Sequence, residues 1–135
     1  MSFIDNEEIK SALIAYIKAN VLITAELPSS DEVREVQYQG TTFAYPNVRV
    51  RIISNEPVGN TGCHHRIQLG IQVNSEELSS KEVEEISGII GEELNDTSFS
   101  QDGVNFILRI TNLVPALRVD ERTWRSEVLM IGIVS

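Results

Sequence analysis

The stretch His65-Arg66-Ile67-Gln68-Leu69-Gly70-Ile71-Gln72-Val73-Asn74 alternates apolar and polar residues more regularly than any other part of the chain. Successive side chains of an extended strand point to opposite faces, so this pattern puts four apolar residues on one face: Ile67, Leu69, Ile71 and Val73. The other face carries polar or small residues: Arg66, Gln68, Gly70 and Gln72. The pattern therefore predicts an antiparallel strand with one buried face and one wet face.

A second strand is predicted upstream, where three apolar residues (Val48, Val50 and Ile52) alternate with Arg49 and Arg51. Residues 55–62 between the two strands are dense in turn formers, so we expect an exposed and mobile connection there. Together these segments predict a hairpin whose wet face carries arginines. A weaker strand pattern covers residues 32–38.

Two helices are predicted, each from a capping box and an apolar stripe. The first begins after the cap Asp5, with Glu8 three residues on, and its stripe is Ile9, Leu13, Tyr16 and Ile17. The second has Ser79 as its predicted cap, with Glu82 as partner, and its stripe is Val83, Ile86, Ile90 and Leu94. Gly88 and Gly91 weaken this second helix by about 1 kcal/mol each relative to Ala, and we expect them to permit close packing on the sheet.

The last third of the chain is predicted to return to β-structure after a polar loop at residues 95–103. A strand alternates from Val104 to Thr111, and Pro115 interrupts it. The closing strand from Trp124 to Val134 is apolar on both faces, so we expect it to be central or covered by a partner or helix. The expected fold class is α+β: a single domain over residues 1–135, with a mostly antiparallel or mixed sheet flanked by an N-terminal helix and a second helix at about residues 79–95.

The length and net charge of the chain limit the classes of function that it can have. The 135 residues carry 11 Lys and Arg against 20 Asp and Glu, a formal net charge of -9, which argues against a surface that wraps nucleic acid. Such a charge keeps copies apart until a specific interface forms.

The single Cys63 allows no intramolecular disulfide and favours a reducing compartment. The acidic N-terminus does not look like a signal peptide, and no apolar run is long enough to span a bilayer, so we expect a soluble intracellular product without a membrane partner.

No pattern in the sequence points to catalysis. Cys63-His64-His65 is the one cluster of soft metal ligands, but a zinc site needs three or four protein ligands and the chain has no other Cys or His. Residues 59–62 lack the Lys-Ser/Thr of a phosphate-binding loop. Paired acidic residues are too abundant to be specific. We therefore expect no catalytic, metal-binding or cofactor-binding residue, no cofactor, and no enzyme activity.

Charge patterning suggests assembly instead. Four arginines (Arg49, Arg51, Arg66 and Arg109) fall on the predicted wet sheet face, whereas the second helix is surrounded by acidic residues. Solvated strand arginines would explain the first feature alone. Two faces of opposite charge also bring copies of one protein together head to tail, and such a contact makes a ring if it closes.

The order of the elements adds a resemblance. An amphipathic N-terminal helix leads to the strand Pro46-Asn47-Val48-Arg49-Val50, and a polar loop precedes the strand of residues 65–73. The capped helix, the strand of residues 104–111, Pro115-Ala116-Leu117 and a closing strand from Trp124-Arg125-Ser126 follow. This order resembles the tail terminator (tail completion) proteins of long-tailed bacteriophages, the lambda-type family. The resemblance covers most of the chain from Pro46 onward, and it rests on element order and length, because that family has no invariant catalytic motif.

The resemblance implies a structural virion protein at the head-proximal end of the phage tail, assembled in the host cytoplasm. It implies a homohexameric ring that caps the tail tube protein, stops tube polymerisation and offers a docking surface to the head-side connector protein. In a contractile tail the sheath protein would be a further partner. DNA would pass through the lumen only in transit, and the acidic balance suits such a conduit.

The expected subunit and tube contacts lie on the hairpin and on the acidic helix. The residues are Arg49, Arg51, Asn55, Glu56, Asn60, Arg66, Glu84 and Glu92. Reversing the charge of Arg49 and Arg51 together is expected to weaken assembly and to leave the monomer folded, since both are placed on the wet face.

Two other interpretations stay open. Another head–tail connector or neck protein would have a similar size and charge. From a different class, a small α+β ligand-binding module or enzyme would need a concave pocket with convergent titratable groups, for which only His64, His65 and the carboxylates are available.

Overall fold

The computed structural model describes residues 4–40, 43–59, 64–77 and 79–135. Its helices are α1 (Asn6–Lys18), α2 (Val21–Thr24) and α3 (Lys81–Leu94), with a single 3-10 turn at Ser30–Glu32. Its strands are β1 (Val33–Glu35), β2 (Asn47–Val58), β3 (His64–Ser75), β4 (Thr97–Gln101), β5 (Val104–Arg118) and β6 (Trp124–Val134). The expected α+β class with a mixed sheet is confirmed.

The six strands form one sheet in the order β1-β2-β3-β6-β5-β4. Only β1 pairs in parallel, with β2, and the remaining neighbours are antiparallel. The predicted hairpin is confirmed, with a register shift between Ile52 and Ser54. β6 lies between β3 and β5, which confirms the central position expected of a strand that is apolar on both faces.

The core lies between the helices and one face of the sheet, which we call the helix face. The alternation in β3 buries its apolar row completely, and the matching residues of β2 and β6 lie in register beside it: Val48, Val50, Val128 and Met130. The helices contribute the stripes expected from their spacing: Ile9, Leu13 and Ile17 from α1, and Val83, Ile86, Ile90 and Leu94 from α3. Apolar burial on this face is what holds the layers together.

The opposite face, which we call the open face, was expected to be wet along the whole hairpin. That expectation is wrong for half of it, because Gly70, Gln72 and Asn74 are buried. The residues that follow β1 reach this face: Val36, Tyr38, Phe43 and Tyr45 line one hollow together with Arg49 and Gln72. Only the other half, toward the loop end of the hairpin, stays open.

The helix starts follow the capping rules to different degrees. Asp5 caps α1 as predicted, its side chain accepting the backbone N–H of Glu8 at 2.8 Å. The capping box at Ser79 is confirmed only in its first half: the Ser79 hydroxyl accepts the backbone N–H of Lys81, the first residue of α3, at 3.3 Å, but Glu82 does not pair with Ser79. Glu82 instead accepts a hydrogen bond from the Ser75 hydroxyl at 2.7 Å, so it ties the helix to the end of β3.

Three expected β boundaries also change. The polar loop at residues 95–103 contains the strand β4, joined to β5 by a turn in which Asp102 and Gly103 have positive φ. β5 continues past Pro115 to Arg118, and its register against β6 shifts between Val114 and Leu117. The weak strand at residues 32–38 shrinks to β1. No described helix is long and apolar enough to cross a membrane.

Candidate subunit interface

Arg66 and Glu56 lie where the sequence placed them, exposed on the hairpin. They are direct cross-strand neighbours on β3 and β2 and form an ion pair at 3.7 Å. An ion pair between two exposed side chains contributes at most about 1 kcal/mol. Either charge can therefore exchange this partner for one on another chain at little cost.

Arg49 is not on a wet face, and its predicted exposure is wrong. The residue is 8% exposed, and its guanidinium donates to the backbone oxygen of Glu32 at 2.6 Å. The Glu32 carboxylate, itself on a residue that is 6% exposed, lies 3.7 Å from the guanidinium, and its Oε1 accepts no hydrogen bond from the described residues. Burial lowers the pKa of Arg49. This pair sits inside the molecule, so charge reversal at Arg49 would disturb the fold itself.

Arg51 is half-exposed and has an internal partner. Its Nε and Nη2 donate to the two carboxylate oxygens of Glu127 at 2.7 and 2.8 Å. Hydrogen bonding to Glu127 raises the pKa of Arg51. Bidentate pairs of this kind fix side-chain geometry, so Arg51 is not the free cation that the hairpin pattern suggested.

Asn55 joins the start of the chain to the hairpin. Its Nδ2 donates to the Ile4 backbone oxygen at 3.1 Å and to Asn6 Oδ1 at 2.9 Å. Its Oδ1 lies 2.6 Å from Nδ1 of His65, whose Nε2 accepts the Ile4 N–H at 3.2 Å. Asn55 was expected in a mobile loop, but β2 runs on to Val58. Asn60 and Cys63 lie outside the described residues.

Glu84 and Glu92 are exposed on α3, Glu84 on the flank that reaches β5. Glu84 accepts one hydrogen bond, from the backbone N–H of Ala116 at 3.3 Å. Because α3 packs on the helix face, these glutamates and the arginines of the open face lie on opposite sides of the sheet. The structure thus separates the two charged surfaces.

Sequence reasoning missed an apolar surface beside Arg66. Ile107, Ile131 and Ile133, which we call the isoleucine strip, lie side by side on β5 and β6 at the open half of the open face. They line a shallow groove of about 450 Å³ with Arg66 and Arg109. Ile107 is 60% exposed and Ile133 is 37% exposed. The apolar alternation on both faces of β6 was the available signal, and it was interpreted as a strand that is central or covered by a partner or helix.

A polar groove of about 540 Å³ between α1 and β1 offers the main alternative site. Its lysine, Lys10, pairs with Glu35 at 2.8 Å and with Glu7 at 3.2 Å. The hydrogen bond to Glu35 raises the pKa of Lys10, which is the opposite of what a lysine needs in order to act as a base or nucleophile. Among the described residues, which include both histidines but not Cys63, no group of three His, Asp or Glu could hold a metal ion.

No protein-family model matches the sequence, and a comparison with curated proteins finds no match. Solved structures do match. A chain from the virion of a native gene transfer agent (GTA) particle superposes with a TM-score of 0.73 at 14% identity, over 93% of this chain and 93% of that chain. A second solved chain superposes with a TM-score of 0.59 at 12% identity, over 93% of this chain and 89% of that chain. This α+β fold is therefore shared with a chain of a gene transfer agent virion over nearly the full length of both.

Proposed function

We propose that this protein is a structural subunit of a phage-like virion that caps the end of the tail tube as a ring. The observation that carries the proposal is the fold shared with the gene transfer agent virion chain over 93% of both chains. The shared fold covers nearly all of both chains, so the likeness does not rest on one supersecondary motif. The element order that resembles tail terminators points to the same class.

The two charged surfaces support a ring of identical copies. An exposed acidic helix on one side of the sheet and exposed arginines with an apolar strip on the other side are complementary and lie on one chain. A contact between two different surfaces is heterologous, and it closes into a ring when the rotation between copies divides a full turn. We propose a homohexamer.

In this role the ring stops polymerisation of the tail tube protein and presents a surface to the head-side connector protein, and to the sheath protein if the tail is contractile. The net charge of -9 suits a conduit, because an acidic lumen repels the phosphates of passing DNA. No catalytic step is assigned to any residue.

Immunogold electron microscopy tests the proposed position in the virion. Particles from cells that carry this gene are labelled with an antibody against the purified protein. We expect gold at the junction of head and tail and none along the tube. Label along the whole tube would identify a tube protein, label confined to the head would favour another connector, and unlabelled particles would contradict a virion role.

A further inference from the structure

The isoleucine strip is flanked by two arginines at a defined spacing. Arg66 lies across from Ile133 on one side of β6, and Arg109 lies across from Ile131 on the other. The two arginines are thus two strands apart and offset by two residues along β6. Standard strand spacing and rise place their backbone positions about 12 Å apart, with the isoleucines between them.

Both arginines are available to a partner. Arg109 is exposed and forms no ion pair with any described residue. Among the described residues, Arg66 has one ion-pair partner, the exposed Glu56. Partly exposed isoleucines between two exposed cations make a surface that suits an anionic, closely fitting partner.

One exposed ridge of α3 has the matching pattern. Glu84, Gly88 and Glu92 recur every four residues and therefore lie along one ridge of the helix. All three are exposed. The rise of 1.5 Å per residue places Glu84 and Glu92 about 12 Å apart, which is the spacing of the two arginines.

Gly88 is unexplained within one copy of the chain. A Cβ at Gly91 would meet Ile110 Cδ1 at 3.0 Å, so packing on the sheet explains that glycine. A Cβ at Gly88 would have no atom of the described residues within 4 Å. A glycine at the centre of an exposed helix weakens it. It also leaves a notch between the two glutamates, which are both exposed.

We infer that the isoleucine strip of one copy docks on the α3 ridge of the next, with Arg66 and Arg109 meeting Glu84 and Glu92 and an isoleucine entering the notch at Gly88. This inference rests on the proposed ring and names the contact that builds it. The charges and the spacing match between two surfaces on opposite sides of the same sheet, and the notch at Gly88 leaves room for a side chain of the strip. The occupant of each surface is therefore a second copy of this chain.

Charge reversal on each surface tests the contact. One variant combines Arg66→Glu with Arg109→Glu, and the other combines Glu84→Arg with Glu92→Arg. Each should raise the dissociation constant for self-association by at least about 100-fold, since two charge pairs become repulsive. Sedimentation velocity over a concentration series measures this, and circular dichroism checks that each variant is folded.

Mixing the two variants provides the decisive readout. In a ring that alternates the two variants, every contact again joins opposite charges. One contact joins the two native surfaces, and the next joins the two charge-reversed surfaces. An equimolar mixture should therefore assemble within about tenfold of the wild type, or about 1.4 kcal/mol. Lys18→Glu with Arg122→Glu, two exposed cations outside both surfaces, is the matched control and should assemble as the wild type does.

Three outcomes would overturn the inference: both variants assembling normally, a mixture that stays dissociated, or a wild type that is monomeric at every concentration. Rings formed by the charge-reversed variants, or gold at the head–tail junction, would leave the proposed function standing without this contact. If a reversed variant does not fold, Gly88→Gln replaces it. That variant fills the notch in open space and should weaken assembly while the fold is retained.

Discussion

Arg51 and Glu127 pair across a strand that lies between them. Arg51 is on β2 and Glu127 is on β6, and β3 separates the two strands. Arg51 is the register partner of Gly70 on β3, and a Cβ at that glycine would clash with Glu127 Oε2 and lie 3.1 Å from Arg51 Nε. Because Gly70 has no side chain, the Arg51 and Glu127 side chains can meet above β3.

Gly70→Ala should therefore destabilise the fold by about 1–3 kcal/mol, because the new methyl group displaces the pair from a closely packed position. Urea unfolding followed by circular dichroism measures the change. Gly88→Ala serves as a glycine control in open space. Equal stability of wild type and Gly70→Ala would show that the pair can move aside freely.

Arg49→Glu should destabilise the fold by about 3–5 kcal/mol, since it leaves the buried Glu32 without its cation and adds a second carboxylate. The same unfolding measurement applies, with Arg122→Glu, an exposed arginine that forms no ion pair with any described residue, expected within about 0.5 kcal/mol of wild type. Replacing both partners, Arg49→Met with Glu32→Leu, should recover most of the loss. A stable, folded Arg49→Glu protein would restore the original view that this arginine is a surface residue.

Gly88→Ala should have opposite effects on the stability of the monomer and on its self-association. The substitution should stabilise the monomer by up to about 1 kcal/mol, because alanine is the better helix former and no atom opposes its Cβ. The same methyl group should weaken self-association if another copy enters the notch. Thermal unfolding measures the stability, and sedimentation velocity on the same preparation measures the dissociation constant for self-association. Tighter assembly together with higher stability would count against a contact at Gly88.

Asp120 makes an acid-sensitive turn after β5. Its carboxylate accepts the backbone N–H groups of Arg122 and Thr123, each at 2.8 Å. The hydrogen bond from Arg122, and after it the one from Thr123, lowers the pKa of Asp120 below its ordinary value of 3.8. Because the folded pKa is the lower one, the turn contributes stability above the unfolded pKa and loses it as pH falls through the folded pKa.

NMR titration of the side-chain carboxyls should accordingly give Asp120 a midpoint below 3.8. Asp120→Asn should show a smaller loss of stability than the wild type as the pH falls through that range. A midpoint at or above the ordinary value would mean that the two backbone hydrogen bonds do not favour the ionised form in solution.

Sequence periodicity was sufficient for the elements that bury one complete row of apolar residues. The alternation of Ile67, Leu69 and Ile71 and the stripes of both long helices depend on local spacing alone, and each lies in the core. Short or polar elements were not predictable in this way. β4 has the sequence Thr-Ser-Phe-Ser-Gln, and it is a strand because Phe99 packs against Tyr16 and Phe106.

The candidate interface residues also divide into those whose exposure depends on local spacing and those whose environment depends on distant residues. Exposure of Arg66, Glu84 and Glu92 followed from their place on one strand or helix. Burial of Arg49 depends on Glu32, 17 residues earlier, and the pairing of Arg51 depends on Glu127, 76 residues later. The isoleucine strip was visible only as a pattern within β6, since β5 supplies Ile107 from across the sheet. Contacts that distant leave no local periodicity.

Negative-stain electron microscopy of the purified protein, at concentrations where light scattering shows assembly, tests the central claim most directly. Class averages should show closed rings with six-fold symmetry and a central hole wide enough for a DNA duplex. Open filaments, closed dimers without a lumen, or single subunits at every concentration would contradict a ring built from this chain alone.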